Sequence, residues 1–154
     1  MKKFFAILLL AVAGNTYALD AAEQRYVDML TEGSMSSVKR AAQDIFNSGE
    51  DNPAVLDYLA EILLRHYASA TPGEIDTLSW AAKALGKSGH ARYHDTLSEV
   101  ANNSSSHKKL RKYAESALDD LNDKGSVKQY HRGDVQLKKG SASGRSSSAD
   151  SSKT

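Results

Sequence analysis

Apolar residues recur at intervals of three and four between residues 20 and 123, and charged residues fill the gaps. The stretch LRKYAESALDDL, residues 110–121, is typical of this pattern. Its apolar residues fall at i, i+3, i+4, i+7, i+8 and i+11, which places them on one face of an α-helix. Five more stretches share this spacing, and no alternating β-branched run competes with them. The pattern predicts six amphipathic helices and an all-α body.

Capping residues indicate where several of these helices begin. Asp20 with Glu23, and Thr71 with Glu74, have the spacing of a capping box, in which each residue binds the backbone N–H of the other. Asn52-Pro53 offers an N-cap followed by proline at the first helical position. The second helix is expected from about Ser36 to Ser48. The third helix is apolar around more than half its circumference and should therefore be central.

The helices alternate between two sequence phrases, which indicates a repeat. Ala42, Ala81 and Ala114 occupy matching places in the even-numbered helices, at intervals of 39 and 33 residues, which is the spacing of helical hairpins. These small residues should let neighbouring helices lie close together. The odd-numbered helices share apolar-x-Asp-x-Leu-x-Glu, with Asp28, Asp57 and Asp95 at its centre. We interpret these aspartates as exposed, or bonded to a neighbouring loop, rather than catalytic.

The even-numbered phrases resemble a known family. LRKYAESAL at 110–118 and TLSWAAKALG at 77–86 are similar to the second helix of HEAT repeats, particularly the short phycobilisome-lyase type, Val-Arg-x-x-Ala-x-x-Ala-Leu-Gly. The resemblance implies a short right-handed α-solenoid of three helical hairpins, whose even-numbered helices line the concave face. The chain departs from the pattern, since Lys39 and Leu78 replace the arginine and only Gly86 supplies the final glycine. A plain six-helix bundle is the alternative.

The N-terminus has the pattern of a secretory signal peptide. Two lysines precede an apolar run from Phe4 to Gly14, and Thr16 to Ala18 provide a cleavage site. We therefore expect a signal peptide at 1–18 and a periplasmic mature chain if the source is a Gram-negative bacterium; a membrane anchor is the alternative. The chain has no cysteine, which excludes a lipidated cysteine, disulfides and thiolate chemistry.

Charge divides the mature chain in two. Residues 19–123 carry 11 basic and 17 acidic residues, whereas 124–154 carry 7 basic and 2 acidic ones. We interpret 19–123 as the helical repeat domain and 124–154 as a disordered basic tail rich in serine and glycine. A seventh helix between Val127 and Leu137 is opposed by Gly125 and Gly133.

The sequence predicts a non-enzymatic module that binds another protein, as an adaptor, assembly factor or inhibitor in the bacterial envelope. No nucleophile–base pattern or glycine-rich phosphate loop is visible, so neither catalysis nor a cofactor is expected. Hairpins without polar caps would favour a partner or a homodimer. Trp80 is a core residue or an aromatic anchor for the partner. The residues expected on the binding face are Lys39, Gln43, Trp80, Lys83, Lys112 and Glu115.

Two other functions remain open. His90 and His94, with Asp95, could support a metal site or an enzyme, although His90 follows a glycine and should lie in a loop. The tail could bind an anionic envelope surface, or touch the acidic body of the protein itself. Nucleic acid is not expected, because the folded part is acidic. The Arg132-Gly133-Asp134 tripeptide is discounted as a chance match. The tail residues expected to make such an electrostatic contact are Lys124, Lys128, Arg132, Lys138, Lys139 and Arg145.

Overall fold

The computed structural model describes residues 18–121 and 127–138. These ranges contain six α-helices, two single 3-10 turns and no strand, which confirms the all-α prediction. The 3-10 turns are Tyr67–Ser69 and Ala91–Tyr93. The helices are α1 (Ala21–Glu32), α2 (Met35–Ser48), α3 (Pro53–His66), α4 (Pro72–Ser88), α5 (His94–Asn102) and α6 (Lys108–Asp119).

Local capping residues set the helix starts. The Asp20 side chain accepts the backbone N–H of Glu23, whose carboxylate accepts that of Asp20 in return, as a capping box requires. The Glu74 carboxylate accepts both the N–H and the hydroxyl of Thr71. One start differs from expectation. Helix α2 begins at Met35 because Ser34 supplies the N-cap oxygen.

The helices form two layers. Helices α2, α4 and α6 lie side by side, with α4 packed extensively against both neighbours. Helices α1, α3 and α5 form the other layer, and each packs on the even-numbered helix that follows it in the chain. Helix α3 is buried along nearly its whole length, from Val55 to Leu64, as its continuous apolar sequence predicts. The curvature and hand of this arrangement remain predictions.

Small residues bring α4 and α6 into unusually close contact. Ala81 and Ala114 are fully buried. A Cβ atom built on Gly86 would lie 2.7 Å from both Cα and Cβ of Ala117, and 2.9 Å from its carbonyl oxygen. The alanines and Gly86 therefore permit close packing between even-numbered neighbours, in addition to any role within a hairpin.

Part of the segment expected to be disordered packs on the odd-numbered layer. We call residues 127–138 the strap. It contains no helix, and the Tyr130 side chain is only 2% exposed within it. Val135 and Leu137 pack on the core as well. The disorder expected for 124–154 is therefore not seen in the strap, because these apolar side chains pack on a buried surface that the local composition does not reveal.

Some predictions fall on residues that the structure does not describe. Residues 1–17 of the expected signal peptide and the tail residues Lys124, Lys139 and Arg145 lie outside the described ranges. Across those ranges, no helix is both long and apolar enough to cross a membrane.

Helix α3 carries two groups whose pKa values the fold lowers. Burial by itself raises the pKa of Glu61, but hydrogen bonds from Gly133, Tyr130 and Arg65, with the Arg65 charge, outweigh it and leave the pKa below its usual value. Burial lowers the pKa of His66, and the Arg65 charge adds to this shift, whereas Glu74 opposes it. Both groups therefore bind protons more weakly in the folded chain.

We expect acid to destabilise the protein in two stages. Because both folded-state pKa values lie below the unfolded ones, the unfolded chain takes up more protons as pH falls. The stability that neutral His66 contributes is present above the ordinary histidine pKa of 6.5 and is lost as the pH falls below it. The stability that ionised Glu61 contributes is lost in the same way below the ordinary glutamate pKa of about 4.5. Urea unfolding between pH 8 and 3.5 measures both stages. A His66→Gln variant should lose the first stage alone; retention of that stage would contradict the assignment.

Candidate functional site

The outer face of the even-numbered layer carries one aromatic side chain from each helix. Phe46 lies on α2, Trp80 on α4 and Tyr113 on α6. The Phe46 and Trp80 rings meet edge to face, with centroids 5.6 Å apart. The Lys83 ammonium lies 4.2 Å from the Trp80 ring centroid and 4.5 Å from that of Tyr113. Both distances fit cation–π contacts, so Lys83 joins the aromatic residues of α4 and α6.

Helical spacing explains this placement. Trp80 and Lys83 are three residues apart on α4 and so share one face, and Lys87 lies one turn further along it. The Lys87 ammonium donates to the carbonyl oxygen of Phe46 at 2.7 Å and lies 4.5 Å from its ring centroid. This cation binds a carbonyl near the end of α2, where helices leave such groups unpaired. The two lysines of α4 thus contact aromatic side chains from all three helices.

A shallow groove of about 180 Å³ lies between these helices. Pockets for typical small ligands are larger, about 300–1,000 Å³. The groove therefore suits one or two side chains of a macromolecule better than a whole cofactor. Its lining residues are Phe46, Lys83, Tyr113, Ser116, Ala117 and Asp120.

The even-numbered helices are basic overall. Helices α2, α4 and α6 together carry eight basic and five acidic residues. Asp76 binds two of the cations, Lys39 at 2.6 Å and Lys109 at 3.4 Å. The hydrogen bond from Lys39 is the main cause of the lowered Asp76 pKa. In contrast, no carboxylate of residues 18–121 or 127–138 lies within ion-pair distance of the Lys83 ammonium.

The structure gathers some of the predicted binding residues and separates others. Lys83 lines the groove and contacts the ring of Trp80, which is not itself a lining residue. Lys39 forms its ion pair with Asp76 of α4. Gln43 is half-buried on α2. Lys112 and Glu115 are exposed on α6 and do not line the groove.

Phe46, Tyr113 and Lys87 were not among the predicted binding residues. The apolar spacing of the helices predicts that Phe46 and Tyr113 face inward, but each side chain is only half-buried. Their signal was present in part: Tyr113 aligns with Trp80 in the repeat, and Lys87 follows Lys83 at helical spacing. The contact between Phe46 and Trp80 joins two helices, and no pattern of neighbouring residues in the sequence predicts it.

The two histidines have separate partners. A ring nitrogen of His90 lies 2.6 Å from the carbonyl oxygen of Asp51, and one of His94 lies 3.3 Å from the Asp95 carboxylate. His90 precedes the second 3-10 turn, in the loop where it was expected. In the described part of the chain, no three or more His, Cys, Asp and Glu side chains are grouped as a metal site would require.

Asp57 joins α3 to the turn before α5. It accepts two hydrogen bonds from the Arg92 guanidinium, at 2.9 and 2.8 Å, and a third from the Tyr93 hydroxyl at 2.9 Å. Burial first, and then the Asp57 charge, raise the pKa of Tyr93 far above its ordinary value. Because Tyr93 stays neutral, it can only donate to Asp57. Asp57 and Arg92 therefore form an ion pair within the fold, with Tyr93 as a further donor. This contact agrees with the interpretation of the repeated aspartates as exposed or bonded to a neighbouring loop.

Comparison of the chain with protein-family models, curated proteins and solved structures gives no match. The resemblance to HEAT repeats therefore stays a prediction, and the function is argued from the groove itself.

Proposed function

We propose that the mature chain is an exported, non-enzymatic module that binds another protein through the groove on α2, α4 and α6. The observation that carries this proposal is the Lys83 ammonium, which contacts the rings of Trp80 and Tyr113 and has no described carboxylate within ion-pair distance, although Asp120 lines the same groove. The signal-peptide pattern at residues 1–18 supports export. An adaptor, an assembly factor and an envelope-enzyme inhibitor all fit such a module.

Charge and shape favour an acidic segment as the bound part of the partner. A carboxylate would meet Lys83 at the groove and Lys87 at its edge, while an adjoining apolar side chain would pack on the aromatic rings. Binding energy in protein interfaces is concentrated in a few residues, among which tryptophan and tyrosine are enriched. Trp80 therefore acts as an aromatic anchor in this proposal.

The other candidate functions have less support in the contacts. His90 binds a backbone carbonyl and His94 binds its neighbour Asp95, so a shared metal or catalytic role would require both to move. For the tail, Arg132 binds Glu99 and Lys138 binds Glu32. These two cations contact the acidic body, and surface binding would depend on the remaining tail residues.

Reversal of one charge in the groove tests the proposal. Mature chain used as bait in envelope extract should retain a specific protein, and Lys83→Glu should weaken its binding at least 30-fold, or about 2 kcal/mol, as expected for an interface hot spot. The measurement is a pull-down followed by calorimetric titration of the identified partner. Trp80→Ala should cause a similar loss, and added salt should weaken binding to the parent chain.

Lys112→Glu is the matched control, because it makes the same charge change on the exposed side of α6. This variant should bind the partner as the parent chain does. Equal losses for Lys83→Glu and Lys112→Glu would assign binding to net charge and contradict the groove. Full retention by Lys83→Glu, with unchanged circular dichroism and thermal unfolding, would also overturn the proposal.

A further inference from the structure

The strap follows the repeat of the odd-numbered helices. The phrase apolar-x-Asp-x-Leu-x-Glu ends in Glu32 on α1, Glu61 on α3 and Glu99 on α5. Each of these equivalent carboxylates accepts a hydrogen bond from the strap: Glu32 from Lys138, Glu61 from Tyr130 and Gly133, and Glu99 from Arg132. One glutamate from every hairpin thus contacts the same extended segment.

Glu61 is the buried centre of this contact. Its side chain is 0% exposed, and one of its carboxylate oxygens accepts the Tyr130 hydroxyl at 2.5 Å and the Gly133 N–H at 2.8 Å. Its other oxygen accepts from Arg65. Without the strap, this carboxylate would lose two of its three donors, and buried polar groups rarely go unpaired. The site therefore fits a ligand that supplies a hydroxyl and a backbone N–H.

Backbone pairing fixes the start of the strap. The Tyr130 N–H donates to the Arg92 carbonyl oxygen at 2.9 Å, and the Arg92 guanidinium donates to the Lys128 carbonyl oxygen at 3.0 Å. The Gln129 amide donates to the Ala91 carbonyl and accepts the Asp95 N–H. Backbone bonds that set register, with side-chain pockets that set specificity, are also how extended peptides bind to proteins.

Charge is complementary across this contact. Helices α1, α3 and α5 carry seven acidic and two basic residues, so we call this side the acidic layer. The strap carries three basic residues and one acidic one. It is joined to the rest of the described chain only through residues 122–126. The same donors and apolar side chains are available in the strap of a second copy.

We infer that the acidic layer is a second binding site, distinct from the groove, which takes the strap of a second copy of this chain. Two chains that exchange straps make every contact described above twice, in a symmetric dimer. The strap of the same chain competes with that of the second copy for the acidic layer, because its covalent connection gives it an effective concentration in the millimolar range. Exchange therefore becomes visible when the competing strap is weakened.

Two variants, each with one half of the contact intact, test this inference. The mature chain with Tyr130→Ala keeps the acidic layer but loses the ring and hydroxyl that fill it. The mature chain with Glu61→Gln keeps a normal strap but replaces the central carboxylate. Mixed at equal concentration, the two should form a one-to-one complex in analytical ultracentrifugation, whereas each variant alone should be mainly monomeric. A mixture of parent chain with Glu61→Gln is the matched control and should show at least tenfold less complex.

A peptide probe tests whether the acidic layer itself binds the strap, independently of any other way in which two chains could form a dimer. The labelled peptide VKQYHRGDVQLK, residues 127–138, should bind Tyr130→Ala at least ten times more tightly than the parent chain, and its alanine counterpart at Tyr130 should not bind. A peptide that binds while the mixed variants stay monomeric would assign the site to a basic segment of a different protein and overturn the second copy. Absence of both signals, with circular dichroism unchanged, would show that the strap acts only within its own chain.

Discussion

Replacement of Arg92 by methionine should lower the free energy of unfolding by about 3–5 kcal/mol, the usual cost of removing one partner of a buried ion pair. The Arg92 side chain is 19% exposed and that of Asp57 is 13% exposed, so water can compensate little for the lost guanidinium. Tyr93 would remain as a donor to Asp57, but the carboxylate charge would be unpaired. The same variant removes the hydrogen bond from Arg92 to Lys128, which fixes the start of the strap.

A double-mutant cycle with Asp57→Asn distinguishes the ion pair from lost packing. If the pair carries the effect, the double variant should be more stable than the sum of the single losses predicts, by about 1–3 kcal/mol. Urea unfolding of the four chains gives this coupling energy. Arg40→Met, an exposed change of the same kind on α2, should alter stability by about 0.5 kcal/mol or less. Additive losses for Arg92 and Asp57 would contradict the expected coupling.

Gly86→Ala should destabilise the fold by about 2 kcal/mol, within the range for overpacked cores, although alanine is the better helix former by about 1 kcal/mol. The new Cβ would lie 2.7 Å from the Cα of Ala117, and that atom belongs to the backbone of α6 and cannot rotate away. Helices α4 and α6 would have to separate. The groove between Lys83 and Tyr113 should widen with them, because it spans the same two helices.

Gly73→Ala provides the comparison within the same helix. A Cβ atom at Gly73 would meet nothing within 4 Å, so this change should leave stability equal or slightly higher. Thermal unfolding of the two variants measures the difference. Equal stability of Gly86→Ala and Gly73→Ala would show that α4 and α6 can move apart without cost.

Features that depend on neighbouring residues could be predicted from the sequence. Capping boxes at Asp20 and Thr71, and the apolar spacing of each helix, depend on residues only three or four positions apart. The strap could not be predicted in the same way. Its order depends on the contact between Tyr130 and Glu61, which are 69 residues apart, and the composition around Tyr130 is that of a loop.

The candidate groove lies between these two cases. Trp80 and Lys83 share a helix face and were predicted together, whereas the approach of Phe46 and Tyr113 depends on how three helices pack. The repeated glutamates show a further limit. Their recurrence was visible, but the partner that explains Glu61 lies in a segment whose serine- and glycine-rich surroundings predict disorder.

The opposite net charges of the two helical layers contribute an electric dipole moment directed from one layer to the other. The even-numbered helices have three more basic than acidic residues, and the odd-numbered helices have five more acidic than basic ones. Near a charged object such a molecule experiences a torque before any contact forms, and the groove side turns toward negative charge. This orientation acts over about one Debye length, about 10 Å in 0.1 M salt. Collisions with an acidic partner should therefore begin with the groove already facing it.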